Sequence, residues 1–253
     1  MGVASERSFA TSANWSTICH MSMVLAVLAP MLAPTDAMNA HASASQAQPT
    51  SEVALLRRPH ELLSPLGEPL GEGRAVAASR PITGVPTTLP VVGRAVTPDG
   101  VQLLRVLLPD RPNGRRGWIE QSGTTLVKTS WLIVVRTTSR RVLVYNHGRI
   151  ERTFTAIVGK RSTPTPHGTF FVEESVRMPR GSSGGPYALA LSAHSNVLQE
   201  FEGGPGQIAI HGVTNLPGKL GSASSHGCIR LDDRSIRWMA AHIAPGVTVR
   251  ITP

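Results

Sequence analysis

At 253 residues, 41% hydrophobic and 16% charged, the chain has room for one ordinary domain with extensions or for two small ones, and it can bury a core. Aromatics make up only 4%, while glycine (24) and proline (20) abound, which argues against long helices and for short strands, turns and linker. The formal charge of +9 suits an anionic neighbour such as a wall polymer or a lipid surface, but no dense Lys/Arg run, zinc-finger spacing or RNA-binding signature accompanies it, which argues against nucleic acid.

Residues 17–33, TICHMSMVLAVLAPMLA, form an apolar run interrupted by Pro30. It is too short and broken for a membrane span and about right for a signal peptide. Ala40-His41-Ala42 and Ala42-Ser43-Ala44 both match an A-x-A cleavage pattern, so residues 1–44 are predicted to be a signal segment. The competing reading is an uncleaved anchor that touches the membrane. Export with cleavage would remove Cys19 and leave Cys228 as the one remaining cysteine. No intramolecular disulfide is then open to it, and it becomes either a spectator or a reactive thiol.

Residues 45–92 are rich in Ala, Ser, Pro and Gly without a sustained period and are predicted to be flexible spacer, any short helical turn over 55–67 being broken by Pro59 and Pro65. From Gly93 to Leu126 the pattern changes. Pro98-Asp99-Gly100 and Asn113-Gly114 are turn signals around an apolar run at 101–108, and Gly117-Trp118-Ile119 follows. A small β segment is predicted over 93–127, read either as SH3-like or as a hairpin extension of the next domain.

The C-terminal domain is predicted over 129–252. Trp131–Arg136 and Arg141–Asn146 are β-branched runs, Thr153–Val158 and Thr169–Glu173 read as further strands, and 207–210 is a short strand ending at His211. The loops 159–168 and 175–186 carry the Pro and Gly/Ser content expected of a binding surface. A single helix is predicted late in the chain, capped by Asp232 or Asp233. Ile236, Met239, Ala240 and Ile243 form its apolar stripe, and Pro245-Gly246 stops it. The fold class is mostly β with one C-terminal helix.

The chemistry-bearing residues crowd into HGVTNLPGKLGSASSHGCIR, residues 211–230. A cysteine attacks as its thiolate, and a histidine beside it can take the proton. His226, two positions before Cys228, and His211, on a different strand, are both candidate bases. Backbone N–H groups at Gly227 and Cys228 could receive an oxyanion. Two other readings stand beside this one: His211, His226 and Cys228 as zinc ligands, and Cys228 as an apolar filler among histidines that satisfy loop hydrogen bonds.

His211-Gly212 followed by Ser225-His226-Gly227-Cys228-Ile229-Arg230 resembles the signature of the L,D-transpeptidase (YkuD-like) catalytic domain. The upstream Tyr145, Gly148, Val158-Gly159 and Thr165-Pro166-His167-Gly168-Thr169-Phe170 are similar to that domain's opening. The resemblance implies a β-sandwich fold with no metal and no cofactor. It implies peptidoglycan stem peptides as substrate and carbapenem-type compounds as inhibitors. By carry-over, Cys228 is the nucleophile and His211 the proton donor and acceptor. Ser225, His226, Gly227 and Arg230 shape the site. Some members carry Ser after the first histidine; Gly212 stands there here, so a backbone carbonyl becomes the candidate for orienting His211. The implied reaction is acyl transfer that cross-links third-position diamino acids in an extracytoplasmic wall. Hydrolysis by an L,D-carboxypeptidase and a non-catalytic wall-binding module are the alternatives.

Overall fold

The computed structural model describes residues 50–253 apart from 72, 73 and 202. The predicted signal segment, residues 1–44, lies outside the described residues, and so do spacer residues 45–49. The described chain is mostly β with one helix, as predicted.

The first part holds β1 (Ser51–Leu56), β2 (His60–Glu61), β3 (Ala75–Val76), β4 (Thr88–Val96), β5 (Gln102–Leu107), β6 (Arg116–Glu120) and β7 (Thr124–Thr129). Five of these form an antiparallel sheet in the order β6-β5-β4-β1-β7. The spacer expected over 45–92 is therefore wrong for its described residues. Strand β1 runs inside the sheet with Val53, Ala54 and Leu56 buried, and β4 crosses the expected boundary at residue 92. The reason is non-local. SEVALL is too short to show a period, and its partners lie far along the chain, where Val53 pairs with Val127 and Pro90. The predicted segment at 93–127 supplies most of this sheet but not that inner strand.

The second part holds β8 (Trp131–Arg136), β9 (Arg141–Asn146), β10 (Arg149–Thr155), β11 (Val158–Gly159), β12 (Gly168–Arg177), β13 (Tyr187–His194), β14 (Gln207–His211), β15 (Ala223–Ser225), β16 (Ile229–Arg230), α1 (Asp233–His242) and β17 (Thr248–Thr252). Eight strands form one sheet in the order β10-β9-β8-β17-β12-β13-β14-β16, with β8·β17 and β14·β16 parallel. The predicted bounds of β8 and β9 coincide with the observed ones. Helix α1 starts where expected: the Asp232 carboxylate accepts from the Ser235 N–H at 2.9 Å, and Ile236 and Met239 turn into the core. Strand β16 lies between Cys228 and this helix, so the helix does not begin directly behind the cysteine.

Strand β12 joins the two parts. Successive side chains of a strand point to opposite faces. Phe170 accordingly enters the core of the eight-stranded sheet, while Phe171 enters the core of the five-stranded one, and each is 1% exposed. Two residues on, Glu173 forms a buried ion pair with Arg80, and Glu174 accepts hydrogen bonds from the Thr83 N–H and hydroxyl. Burial, opposed by Arg80, pushes the Glu173 carboxyl up to about 7. Asp110 and Glu174 add to the rise. An acid whose folded value exceeds its unfolded one keeps its proton in the fold after the unfolded chain has released it. Its stabilising contribution is thus complete at low pH and declines as pH rises toward 7. Glu173→Gln is expected to flatten the fall in Tm between pH 5 and 7, where the single proton is worth at most about 1.4 kcal/mol per pH unit. Thermal denaturation at several pH values measures the slope, and equal slopes for wild type and variant would remove Glu173 from the account.

Candidate active site

The site lies at the β14–β16 edge of the eight-stranded sheet. Along β14 the side chains alternate: Ile208 and Ile210 enter the core, leaving Gln207, Ala209 and His211 on the other face. Strand β16 runs parallel with Ile210 beside Ile229 and His211 beside Arg230. Ile229 is also buried in the core, so its neighbours Cys228 and Arg230 fall on the face that carries His211. A cleft of about 390 Å³ opens on that face, lined by His211, Cys228, Arg230, His226, Phe201 and Leu216, among others. Cys228 is partly exposed there, and its Sγ accepts from the Ala209 N–H at 3.4 Å.

The cysteine sits on a tight turn held from inside. Ser225 is fully buried. Its hydroxyl donates to the Cys228 carbonyl at 2.6 Å and accepts from the Gly227 N–H at 3.2 Å. Gly227 has φ +123, and a Cβ there would meet Ile208 Cδ1 at 2.9 Å, so glycine is required twice over. The Gly227 N–H is taken up by Ser225, which removes it from the pair of oxyanion donors expected from sequence. The loop 159–168 then braces the turn. Thr165 Oγ1 donates to the Gly227 carbonyl at 2.8 Å while accepting from the Gly159 N–H at 2.9 Å. Thr163 Oγ1 and the Lys160 N–H both reach the Ser225 carbonyl.

The bracing by Thr163, Thr165 and Lys160 was not read from the sequence, although Thr165 belongs to a motif quoted above. The one available signal was the pair of threonines alternating with prolines in a loop otherwise read as a surface. Thr165→Val keeps the shape but leaves buried Gly227 O and Gly159 N–H without this partner. It is expected to cost about 1–3 kcal/mol in chemical denaturation and to lower turnover by loosening the cysteine turn. A variant as stable and as active as wild type would rule out the brace.

His211 ends β14 with its ring partly covered by the loop 178–186. Its Nδ1 lies 2.9 Å from the Gly212 carbonyl, so a backbone oxygen stands where an orienting side chain was sought. A Cβ on Gly184 would lie 2.8 Å from that same nitrogen, which leaves only glycine room to pass over the ring. Burial pushes His211 well below the ordinary imidazole range, to about 4. The Arg230 charge pushes the same way, while the Gly212 and Gly184 backbones partly oppose them. The imidazole is therefore neutral and able to accept a proton at neutral pH. Asp233, in the first turn of α1, accepts from the Val213 N–H at 3.1 Å and from the Thr214 hydroxyl, which ties the chain just after His211 to the helix.

Arg230 is buried, and one guanidinium N–H donates to the Pro217 carbonyl at 2.9 Å. Its backbone exchanges two bonds of 2.9 Å with Ile157. His226 points to other partners: Lys160 Nζ lies 3.4 Å from its Nε2, and the Phe201 ring stacks on it with centroids 5.3 Å apart. Residues 226–227 leave the extended conformation, so the two-residue spacing from His226 to Cys228 does not by itself turn both side chains to one side. The structure brings all six sequence-predicted residues to one turn (225–228), the end of β14 (His211) and the adjoining β16 (Arg230). Among the described residues no group of three or more His, Cys, Asp or Glu lies close enough to share a metal ion.

Residues 130–251 match the family model described as the L,D-transpeptidase catalytic domain. A Bacillus licheniformis protein named YkuD and assigned as an L,D-transpeptidase is 34% identical over 121 residues, covering 48% of this chain and 65% of that protein. Its Bacillus subtilis namesake is 33% identical over 105 residues, covering 42% of this chain and 56% of the relative. The chain thus spans less than two thirds of either relative's length. The five-stranded sheet lies outside the matched segment. Among solved structures, an L,D-transpeptidase from Mycobacterium smegmatis aligns at 18% identity and TM-score 0.39, over 60% of this chain and 90% of that one. L,D-transpeptidase 3 from Mycobacterium tuberculosis, in complex with a faropenem-derived adduct, aligns at 15% identity and TM-score 0.42, over 66% and 91%.

Proposed function

We propose that the protein, whose residues 130–251 match the L,D-transpeptidase catalytic domain model, is a peptidoglycan L,D-transpeptidase acting outside the cytoplasm. The observation that carries the reading is the placement of His211, Cys228 and Arg230 on one face around one cleft. In this scheme the Cys228 sulfur attacks the carbonyl of the third, diamino acid residue of a stem tetrapeptide. His211, neutral before the encounter, takes the thiol proton as the C–S bond forms. The tetrahedral intermediate collapses, the C–N bond to the terminal D-Ala breaks, and His211 returns the proton to the departing amine. An imidazolium with a depressed pKa is a strong acid, which suits protonation of a poor leaving group. The side-chain amine of a second stem then attacks the thioester. The amide forms, the C–S bond breaks, and the proton lost by the amine returns to sulfur through His211. Water in place of the amine would give the free tripeptide, the carboxypeptidase outcome.

Carbapenem exposure tests the nucleophile. Ring opening by Cys228 adds the whole inhibitor mass without a leaving group, and intact-protein mass spectrometry reads it directly. The wild type is expected to gain one adduct and Cys228→Ala none. An adduct of equal yield on the alanine variant would overturn the assignment. Incubation with purified tetrapeptide-bearing fragments then separates cross-linking from hydrolysis by product mass.

A further inference from the structure

A second cleft, of about 770 Å³, lies on the other side of the loop 178–186. Arg177, Arg180 and Arg237 line it together with Tyr187 and Thr214, and no acidic residue does. Among the described residues, none of the three arginines takes part in an ion pair. The carboxylates nearest the three in sequence have other partners: Glu173 pairs with Arg80, Glu174 accepts from Thr83, Asp233 holds Val213 and the lining residue Thr214, and Asp232 caps α1 through Ser235. Three arginines around one concavity create a positive potential, and a guanidinium is a planar fork matched to a carboxylate. The two clefts share a wall. Met178 lines both, Gly184 faces the cysteine cleft, and Gly185 faces the arginine cleft.

We infer that the arginine cleft binds the carboxylates of the second, amine-donating stem peptide, holding it so that its amine reaches the acyl group on Cys228 across Met178. The inference rests on the transpeptidase reading above. It adds a place for the acceptor, built from residues that the cysteine turn does not use. A phosphodiester wall polymer would also meet three guanidinium groups. Carboxylate is favoured because the cleft shares Met178 with the cysteine cleft and because the proposed reaction takes a second stem peptide, whose end is a carboxylate.

The test separates the two half-reactions. The triple variant Arg177→Gln/Arg180→Gln/Arg237→Gln is compared with wild type, with Tm confirming the fold. Exposed ion pairs are individually weak and add up over three, so the acceptor KM in cross-link formation is expected to rise about tenfold in the variant. D-Ala release from the donor alone should stay within about twofold. The wild-type acceptor KM should rise with added NaCl, and the variant's should not. An unchanged acceptor KM, or an equal loss in donor acylation, overturns the inference. Binding of a soluble stem tripeptide to the Cys228→Ala protein, followed by calorimetry, gives a readout independent of turnover. It should weaken when the peptide carboxylates are amidated and when the arginines are removed. If the tripeptide does not bind while a glycerol phosphate oligomer does so through the arginines, the cleft serves a wall polymer and the inference is wrong. Failure of the wild type to acylate at all would instead count against the transpeptidase reading, with tripeptide binding still deciding the cleft.

Discussion

His211→Ala is expected to lower kcat/KM for acylation of Cys228 by about a hundred- to ten-thousandfold, the usual worth of a positioned general base and acid. The larger effect should fall on substrates with a poor amine leaving group, because in the proposed scheme His211 both takes and returns the proton. A strained lactam, whose ring opening needs less help, should lose less. The pH profile supplies the signature. Burial and the Arg230 charge hold His211 near 4, so the ring stays neutral as pH falls from 7, and kcat/KM should hold down to about pH 4 before declining. Arg230→Gln removes the charge that opposes protonation. His211 should then titrate at a higher pH and the acid limb should move upward with it. An acid limb that stays in place in Arg230→Gln, while His211→Ala abolishes it, would mean that Arg230 does not act on the imidazole.

Gly212→Ser is expected to destabilise the protein strongly and to reduce activity at least tenfold, although Ser follows the histidine in some relatives of this fold family. A Cβ at 212 would stand 1.8 Å from the Gly185 carbonyl oxygen and 2.7 Å from Asp233 Oδ1. The first of these is backbone and cannot swing aside. It is held by its own ladder, in which the Gly212 N–H donates to Gly184 O at 2.9 Å and the Gly184 N–H to Thr214 O at 2.8 Å. The added atoms must push the loop 178–186 away from His211, an overpacking cost of about 1–3 kcal/mol or more. Chemical denaturation measures that cost, and acylation rates show whether the loop carries His211 with it. A serine variant with wild-type stability and rate would show that the loop yields freely.

These two residues also show what was legible beforehand. That Cys228 and His211 would meet in one cleft was readable because the residue types suit such chemistry and the strand ending at 211 is local. Gly212 was readable only as a missing side chain. The structure shows why it must be small: the Gly185 carbonyl occupies that space, and the two glycines lie 27 positions apart in the chain. Thr165 bonding to Gly227 and Val53 pairing with Val127 were hidden for the same reason. Periodicity reports a segment's own faces and says nothing of a partner many residues away. Composition misled in the N-terminal half, where Pro and Gly read as slack between short strands whose sheet forms only through distant pairing. Turn chemistry and helix capping are local properties, and there the expected elements matched.

The adjacent phenylalanines of β12 carry a consequence for how the molecule comes apart. The segment matched by the family begins at residue 130, yet Phe171 within it is sealed by Ala54, Leu56, Leu89, Leu104 and Ile119, all upstream. Cutting the chain at that boundary would uncover one fully buried aromatic side chain, worth about 2–3 kcal/mol of burial, and would strip Glu173 of its Arg80 counter-charge. The homologous module and the cooperative unit are therefore different lengths of the same polypeptide. Melting should register the two sheets as one transition, and the catalytic face should be lost along with a sheet that contributes no residue to it.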